Sequence, residues 1–159
     1  MSEHWSNNDR GYRLKMWLDL VDQNAVENVS VYRIRVFLVS GGWSFVGYNC
    51  TGFVDFDGGR RHGFSIGSLG AGETKQVYDE LHKIWHDDNG NKRFGIMAQL
   101  NGQGGYSPNT LVINGFDVDV PPIARASTSD GFEAYFGQQV TINIDKKNAA
   151  FRHKVLYKF

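Results

Sequence analysis

The stretch "YRLKMWLDL", residues 12–20, decides the fold class because apolar and polar side chains alternate along its whole length. An extended chain places alternate residues on opposite faces. One face of this segment carries Tyr12, Leu14, Met16, Leu18 and Leu20, and the other carries Arg13, Lys15, Trp17 and Asp19. This period of two is typical of an antiparallel strand that has one side in a core.

The same alternation recurs further along the chain, in "YRIRVFLV" (32–39), "RFGIMAQLN" (93–101) and "FDVDV" (116–120). Glycine-rich turn sequences separate these segments, which indicates short strands at close spacing. We therefore predict an all-β fold, an antiparallel and jelly-roll-like β-sandwich. Its predicted buried residues are Leu14, Met16, Leu18, Ile34, Val36, Phe94, Ile96 and Val118.

The segment "ETKQVYDELHKIW", residues 73–85, is compatible with two structures. As a short helix capped by Thr74, it would have an apolar stripe made of Val77, Leu81, Ile84 and Trp85. Its second half could equally run extended as another strand. The predicted sandwich therefore contains at most one short helix.

Composition excludes several classes of protein. The 159 residues include 17 basic and 17 acidic side chains, so the formal net charge is zero, which argues against a general nucleic-acid binder. A single cysteine, Cys50, cannot form an intrachain disulfide or a zinc-binding cysteine pair. No apolar run is long enough for a transmembrane helix, and the polar N-terminus lacks a signal core. We expect a chain made in a cytoplasm, with no cofactor and no membrane partner.

Two of the three prolines lie side by side in "VPPIARASTSDG", residues 120–131. Proline cannot donate to a β-ladder, so the preceding strand has to end there. A further alternating pair follows in "QVTINID" and "AFRHKVLYKF", and this hairpin either completes the first sheet or opens a second module. We predict the second arrangement, with a β-sandwich in 1–120, an extended linker in 121–126 and a partial module in 127–159.

The last 37 residues, 123–159, are similar to a recurrent junction in siphophage tail-tip proteins, which are minor structural proteins from phages of Gram-positive bacteria. In that family a short linker leads into strands that end in a Phe-x-His-x-Val/Leu-x-Tyr pattern. Ala124 stands where the family commonly has proline. The residues that carry this match are Ile123, Ala124, Arg125, Ala126, Ser127, Phe151, His153, Val155 and Tyr157.

A second segment, "IWHDDNGNKRFGIMAQLNGQGGYS", resembles the family's His-x-x-Asp-Gly segment and its Gly-Tyr-Ser turn. The matching residues there are His86, Asn89, Gly90, Gly105, Tyr106 and Ser107. The resemblance implies an N-terminal β-sandwich followed by the first strands of an immunoglobulin-like module in 127–159. It also implies a virion protein at the tail tip that contacts other tail proteins and serves in host attachment.

The candidate catalytic residues are few. Asp117 and Asp119 share one face of a strand at about 7 Å, a separation that suits a pair of glycosidase carboxylates. Alternation on a solvated strand produces such pairs frequently, and no nucleophile motif of the G-x-S-x-G type is present. We therefore predict a protein that is not an enzyme.

Two polar loops are candidates for a metal site or a phosphate site. In "HDDNGN" (86–91) the spacing around Gly90 does not match a calcium loop, and a hairpin turn with positive φ at Asn89 and Gly90 explains it better. In "GGRRHG" the residues Arg60, Arg61 and His62 are best explained as a solvated turn. Neither loop predicts a metal or a nucleic-acid site.

The outward faces of the strands carry the strongest functional signal. Large aromatic rings on a wet face are unusual and indicate a binding surface. Aromatic rings beside charged groups suit sugars, because C–H faces stack on the rings and hydroxyls hydrogen-bond to the charges. The candidate residues are Trp17, Arg33, Arg35, Phe37, Gln99, Asp117 and Asp119, to which Trp5, Trp43, Tyr48 and Tyr106 could add from loops.

The alternative is that loops or a second copy of the chain cover this face, and that the loop aromatics only plug the ends of the sandwich. The first interpretation predicts a module that binds a host cell-wall glycan. The second predicts a purely structural virion subunit whose outward face is a protein–protein interface, in a homo-oligomer or against other tail proteins.

Overall fold

The computed structural model describes residues 2–124, and within them the chain forms eight β-strands and no helix. Every pairing between neighbouring strands is antiparallel. In this part of the chain, no helix has the length and apolar character that a membrane crossing requires. The strands are β1 (Ser2–Trp5), β2 (Tyr12–Asn24), β3 (Val29–Ser40), β4 (Phe45–Phe56), β5 (Arg60–Leu69), β6 (Thr74–Trp85), β7 (Lys92–Asn101) and β8 (Leu111–Val120).

The eight strands form two four-stranded sheets that pack face to face. The first sheet has the order β1-β2-β3-β6 and the second sheet has the order β5-β4-β7-β8. The chain crosses to the second sheet after β3, returns to the first for β6 and crosses again before β7. The predicted all-β sandwich is confirmed. The immunoglobulin-like strands predicted in 127–159 lie outside the described residues.

The core follows the alternation of the sequence. In the β2–β3 pair, Leu14 lies opposite Leu38, and the next inward positions are also apolar on both strands. Phe94 reaches across from β7 and makes an edge-to-face contact with Tyr32, with the ring centroids 5.3 Å apart. The predicted residues found buried are Leu14, Met16, Leu18, Ile34, Val36, Phe94 and Ile96.

Val118 departs from this prediction, because it is half-buried. It pairs with Phe94 but belongs to β8, which is an edge strand of the second sheet. Among residues 2–124 no strand pairs with the outer side of β8, so in this part of the chain solvent reaches a position that the alternation alone assigns to the core. The edge position, which is not visible in the sequence, explains the difference.

Residues 74–85 form strand β6 and not a helix. The segment pairs with β3 along its whole length, from Val29 opposite Trp85 to Val39 opposite Thr74. Its inward positions include Tyr78 and His82, whose polar atoms disguise the alternation, while Leu81 is exposed. Pairing with a long neighbouring strand outweighs a weak helical pattern, because secondary-structure propensities are small compared with tertiary contacts.

The turn at 86–91 forms as predicted, with one difference. Gly90 has a φ of 79°, whereas Asn89 is not among the residues with positive φ. The carboxylate oxygen Oδ1 of Asp87 accepts hydrogen bonds from the backbone N–H groups of Asn89 (2.9 Å) and Asn91 (2.8 Å). Asp87 thus stabilises the turn from within, so Asn89 does not need the left-handed conformation.

The segment "GGRRHG" does not lie wholly in a turn. Gly58 and Gly59 supply the turn, with φ values of 89° and 114°, and β5 begins at the next residue. Arg61 and His62 therefore lie within the strand, and Arg61 pairs with Asp55 at 3.4 Å. The prediction of a solvated turn for these two residues is wrong, because both pair with residues of strand β4.

Strand β8 ends at Val120, directly before the paired prolines. The carbonyl of Pro121 accepts a hydrogen bond from the side chain of Gln23 at 2.8 Å. The N–H of Ile123 donates to the carbonyl of Gly90 at 2.9 Å, and its side chain is only 4% exposed. The chain just after the prolines therefore packs on the sandwich, while the division into modules beyond it stays a prediction.

Candidate functional site

The predicted outward residues lie on two opposite faces of the molecule. Trp17, Arg33, Arg35 and Phe37 belong to β2 and β3 in the first sheet, whereas Gln99, Asp117 and Asp119 belong to β7 and β8 in the second. They therefore do not form one binding surface. A two-residue period tells which side chains leave the core, but not which sheet carries them.

On the first sheet, the ring of Trp17 is already engaged within the protein. Its indole N–H donates to Glu3 at 2.7 Å, and the same carboxylate accepts the indole N–H of Trp5 at 2.7 Å. The ammonium of Lys15 lies 4.6 Å from the Trp17 ring centroid, and the guanidinium of Arg35 lies 4.9 Å from it. These cation–π contacts occupy the ring that a sugar would otherwise stack on.

Two arginines of this face are paired with carboxylates as well. Arg33 holds Asp79 through two hydrogen bonds of 2.7 and 2.6 Å, and Arg35 is bonded to Asp19. Phe37 packs edge-to-face on Trp17, with the centroids 5.1 Å apart. These contacts join neighbouring strands, which stabilises the first sheet.

On the second sheet, Arg93 pairs with Asp117 at 3.1 Å and with Asp119 at 3.5 Å. Gln99 donates to Asn101 at 2.6 Å. Both aspartates are strongly exposed, and they lie beside a cation instead of facing each other across a cleft. This arrangement is that of an exposed ion-pair cluster, which contributes little to stability.

Two of the predicted aromatic residues do come together. Trp43 lies on the loop 41–44 between β3 and β4, and Tyr106 lies on the loop 102–110 between β7 and β8. Both are exposed, by 61% and 73%. They border a cavity of about 200 Å³ at one end of the sandwich, called the end pocket below, which is lined by Arg10, Tyr12, Trp43, Gly105 and Tyr106.

The backbone of Tyr106 is held on both sides by tyrosine hydroxyls. Tyr12 donates its O–H to the carbonyl of Tyr106 at 3.0 Å, and the hydroxyl of Tyr48 accepts the N–H of Tyr106 at 3.1 Å. Burial raises the pKa of Tyr12, so this hydroxyl keeps its proton and remains a donor. The exposed ring of Tyr106 is therefore presented by a fixed backbone.

Arg10 connects the loop 6–11 to the loop 102–110 at this end of the sandwich. Its guanidinium donates to the carbonyls of Gly105 and Ser107, the latter at 2.6 Å. Asp9 pairs with Arg10 at 3.2 Å and accepts the backbone N–H of Asn109 at 2.7 Å. That backbone hydrogen bond, more than any other contact, lowers the pKa of Asp9, so the carboxylate stays ionised.

The loop of Trp43 is anchored to the same end. The N–H of Gly41 donates to the carbonyl of Gly11 at 2.9 Å, and the hydroxyl of Ser40 donates to the carbonyl of Trp43. A side chain at Gly11 would be strained, because its φ is 86°. Three loops are thus bonded to one another, and the end pocket is formed before any ligand arrives.

Sequence reasoning found the two exposed rings but missed Arg10, Tyr12 and Gly105. Tyr12 was assigned to the core, which is correct, since it is 1% exposed and forms part of the pocket wall. Trp5, expected near a loop, lies in β1, and Tyr48 lies in β4. The sequence signal for the pocket was the turn "GQGGYS", in which Gly104 and Gly105 both have positive φ.

A family model described as "Siphovirus protein of unknown function (DUF859)" matches residues 1–159. No curated protein and no solved structure matches the chain.

Proposed function

We propose that this chain, which belongs to the siphovirus protein family of unknown function (DUF859), binds a host cell-wall saccharide at the phage tail tip and is not an enzyme. Membership of a siphovirus family suggests a virion component. The position at the tail tip, the synthesis in the host cytoplasm and the glycan partner are parts of the proposal.

The observation that carries the proposal is the end pocket. Trp43 and Tyr106 are both strongly exposed, yet the loops that bear them are hydrogen-bonded to neighbouring loops. An exposed aromatic ring on a fixed backbone loses little conformational entropy when it binds a ligand. Sugar rings stack their C–H faces on such rings, and the phenol hydroxyl of the exposed Tyr106 can hydrogen-bond to a sugar hydroxyl.

The size of the end pocket limits the ligand. Its volume of about 200 Å³ is below the ~300–1,000 Å³ of most small-molecule sites, so it accepts one ring-sized group. The rest of a polymer would lie outside it. A single residue of a cell-wall polysaccharide, recognised at a chain end or at a branch, fits this geometry.

Binding without hydrolysis agrees with the state of the nearest carboxylate. Both oxygens of Asp9 are occupied, Oδ1 by the amide of Asn109 at 3.2 Å and Oδ2 by Arg10 and the Asn109 N–H. A general acid needs a raised pKa, whereas the pKa of Asp9 is lowered. Asp9 therefore serves to hold the loops together.

The experiment is a binding assay on purified cell walls from a panel of Gram-positive hosts. The wild-type chain should sediment with the walls of at least one host. Trp43→Ala and Tyr106→Ala should each weaken this binding about two- to tenfold, because stacking on one aromatic ring is worth roughly 0.5–1.5 kcal/mol. Trp85→Ala is the matched control, since Trp85 is equally exposed at 60% but lies on β6.

The alternative is a purely structural virion subunit, and one feature favours it. Strand β6 is an edge strand of the first sheet, and it exposes Leu81 by 64% and Trp85 by 60%. An exposed apolar edge strand can pair with another chain. If Leu81→Asp or Trp85→Ala blocks virion assembly while Trp43→Ala does not, the structural role is the better description.

A further inference from the structure

Three side chains with metal-binding atoms meet at one side of the sandwich. His62 comes from β5, and Glu80 and His82 come from β6. His62 Nδ1 lies 3.1 Å from Glu80 Oε2, and His82 Nε2 lies 3.8 Å from the same oxygen. The three ligand atoms all lie within 4.8 Å of one another. These residues are called the triad below.

The triad bridges the two sheets. Strand β5 is an edge of the second sheet and β6 is an edge of the first, and the short turn 70–73 connects them. No backbone pairing joins β5 to β6 among the described residues. A contact between His62 and the two β6 residues therefore closes a side of the sandwich that the β-ladders leave open.

The chemistry of the triad suits a zinc ion. Zn²⁺ binds imidazole nitrogen and carboxylate oxygen at about 2.0–2.2 Å in tetrahedral geometry, which places neighbouring ligand atoms roughly 3.4 Å apart. The separations of 3.1 and 3.8 Å bracket that value and the third pair of ligand atoms lies within 4.8 Å, so side-chain rotations that bring the three atoms closer together complete the site. Two nitrogens and one oxygen disfavour Mg²⁺ and Ca²⁺, which prefer oxygen ligands alone.

Tyr78 contacts two members of the triad through its hydroxyl. Its hydroxyl donates to Glu80 Oε2 at 2.9 Å and lies 2.8 Å from His82 Nε2. Burial raises the pKa of Tyr78, so it remains a protonated donor that can orient the carboxylate. When His82 Nε2 turns to a metal, its contact with Tyr78 is lost and the Tyr78–Glu80 hydrogen bond remains.

A zinc ion held by the three side chains of the triad has a fourth coordination position open. His62 and His82 both line a surface groove of about 490 Å³, together with Phe56, Lys83 and Trp85 among others. Zinc sites with three protein ligands take a water as the fourth. The groove provides room for that water, or for a group from another molecule.

We propose that His62, Glu80 and His82 bind one Zn²⁺ ion, which clamps the two sheets together along the β5–β6 side. Local spacing does not reveal this site, because the two histidines belong to different strands and are joined only by the fold. The site is separate from the end pocket, so its existence does not depend on glycan binding.

The test uses the whole chain, first freed of metal with a chelator, and ZnCl₂ alone as the probe. Isothermal titration should show about one equivalent of zinc per chain, and the Tm should rise because zinc binds the folded state. His62→Gln and Glu80→Gln should each weaken binding at least about tenfold. Both side chains are partly exposed, so neither substitution threatens the fold.

His4→Gln is the matched control. His4 lies on β1, away from the triad, where its ring stacks on Phe116 at 3.9 Å. This variant should bind zinc as the wild type does. The proposal is overturned if the wild type takes up no zinc at roughly millimolar concentration, if His62→Gln binds as tightly as the wild type, or if MgCl₂ raises the Tm as much as ZnCl₂.

Discussion

The hydroxyl of Tyr12, a residue that is 1% exposed, donates a hydrogen bond of 3.0 Å to the carbonyl of Tyr106, whose ring is 73% exposed. A residue fixed in the core thus holds the backbone of a residue on the surface. Tyr12 belongs to the β2–β3 hairpin and to the hydrophobic core, so the position of the Tyr106 backbone is set by the core itself.

Tyr12→Phe should loosen the Tyr106 loop without disturbing the core. The substitution keeps the buried ring and removes one hydrogen bond, which costs about 0.5–1.5 kcal/mol of unfolding free energy. We expect faster hydrogen exchange in the loop 102–110 and weaker cell-wall binding, with little change in the strands. Unchanged exchange in that loop would show that the Tyr12 hydroxyl does not hold it.

Trp17→Ala should lower stability and leave cell-wall binding intact. The ring is half-buried, contacts Phe37 and lies between two cations, so its removal should cost about 1–2 kcal/mol. Chemical denaturation measures the loss, with Trp85→Ala as the control that changes little. A folded Trp17→Ala protein with normal stability and no binding would move the glycan site to the first sheet.

Ile34→Ala and Asp117→Asn should lower the free energy of unfolding by different amounts, because one position faces the core and the other faces solvent. Ile34 is completely buried between the sheets, and its truncation should cost about 2–5 kcal/mol. Asp117 is exposed and makes only a surface ion pair, so Asp117→Asn should cost less than about 1 kcal/mol. Equal losses in denaturant melts would contradict the assigned faces.

The stability of a chain truncated near the paired prolines should depend on whether the chain keeps Ile123. A chain that ends at Ile123 keeps the buried side chain and the hydrogen bond to Gly90, so its Tm should match that of the full chain. A chain that ends at Val120 loses both and should be destabilised by about 1.5–3 kcal/mol. If the chain that ends at Ile123 unfolds, the predicted module 127–159 is instead part of this sandwich.

The alternation of the sequence predicted the core because the two-residue period is a property of the extended backbone itself. Leu14, Ile34 and Phe94 needed no other information. The same period could not tell that Trp17 and Asp117 face opposite sides of the molecule, since that depends on which sheet each strand joins. Strand β6 was ambiguous because Tyr78 and His82 place polar atoms on an inward face.

The two candidate sites depend on the fold to different degrees. Exposed Trp43 and Tyr106 could be chosen from their glycine-rich surroundings, but their meeting at one end required three loops to converge. The sequence did not indicate that Arg10 and Tyr12 line the pocket. Arg10 lies in a turn and Tyr12 in a strand, and nothing in their pattern suggests a shared site. The triad depends wholly on the crossing between sheets that brings β5 beside β6.

The most direct measurement is an NMR titration of the indole N–H signals with polysaccharide released from the cell wall of a susceptible host. The chain has four tryptophans, Trp5, Trp17, Trp43 and Trp85, each of which gives one assignable signal. A saccharide in the end pocket should shift or broaden the Trp43 signal and leave those of Trp17 and Trp85 in place. A titration in which Trp43 stays unchanged while Trp17 or Trp85 shifts would contradict the account.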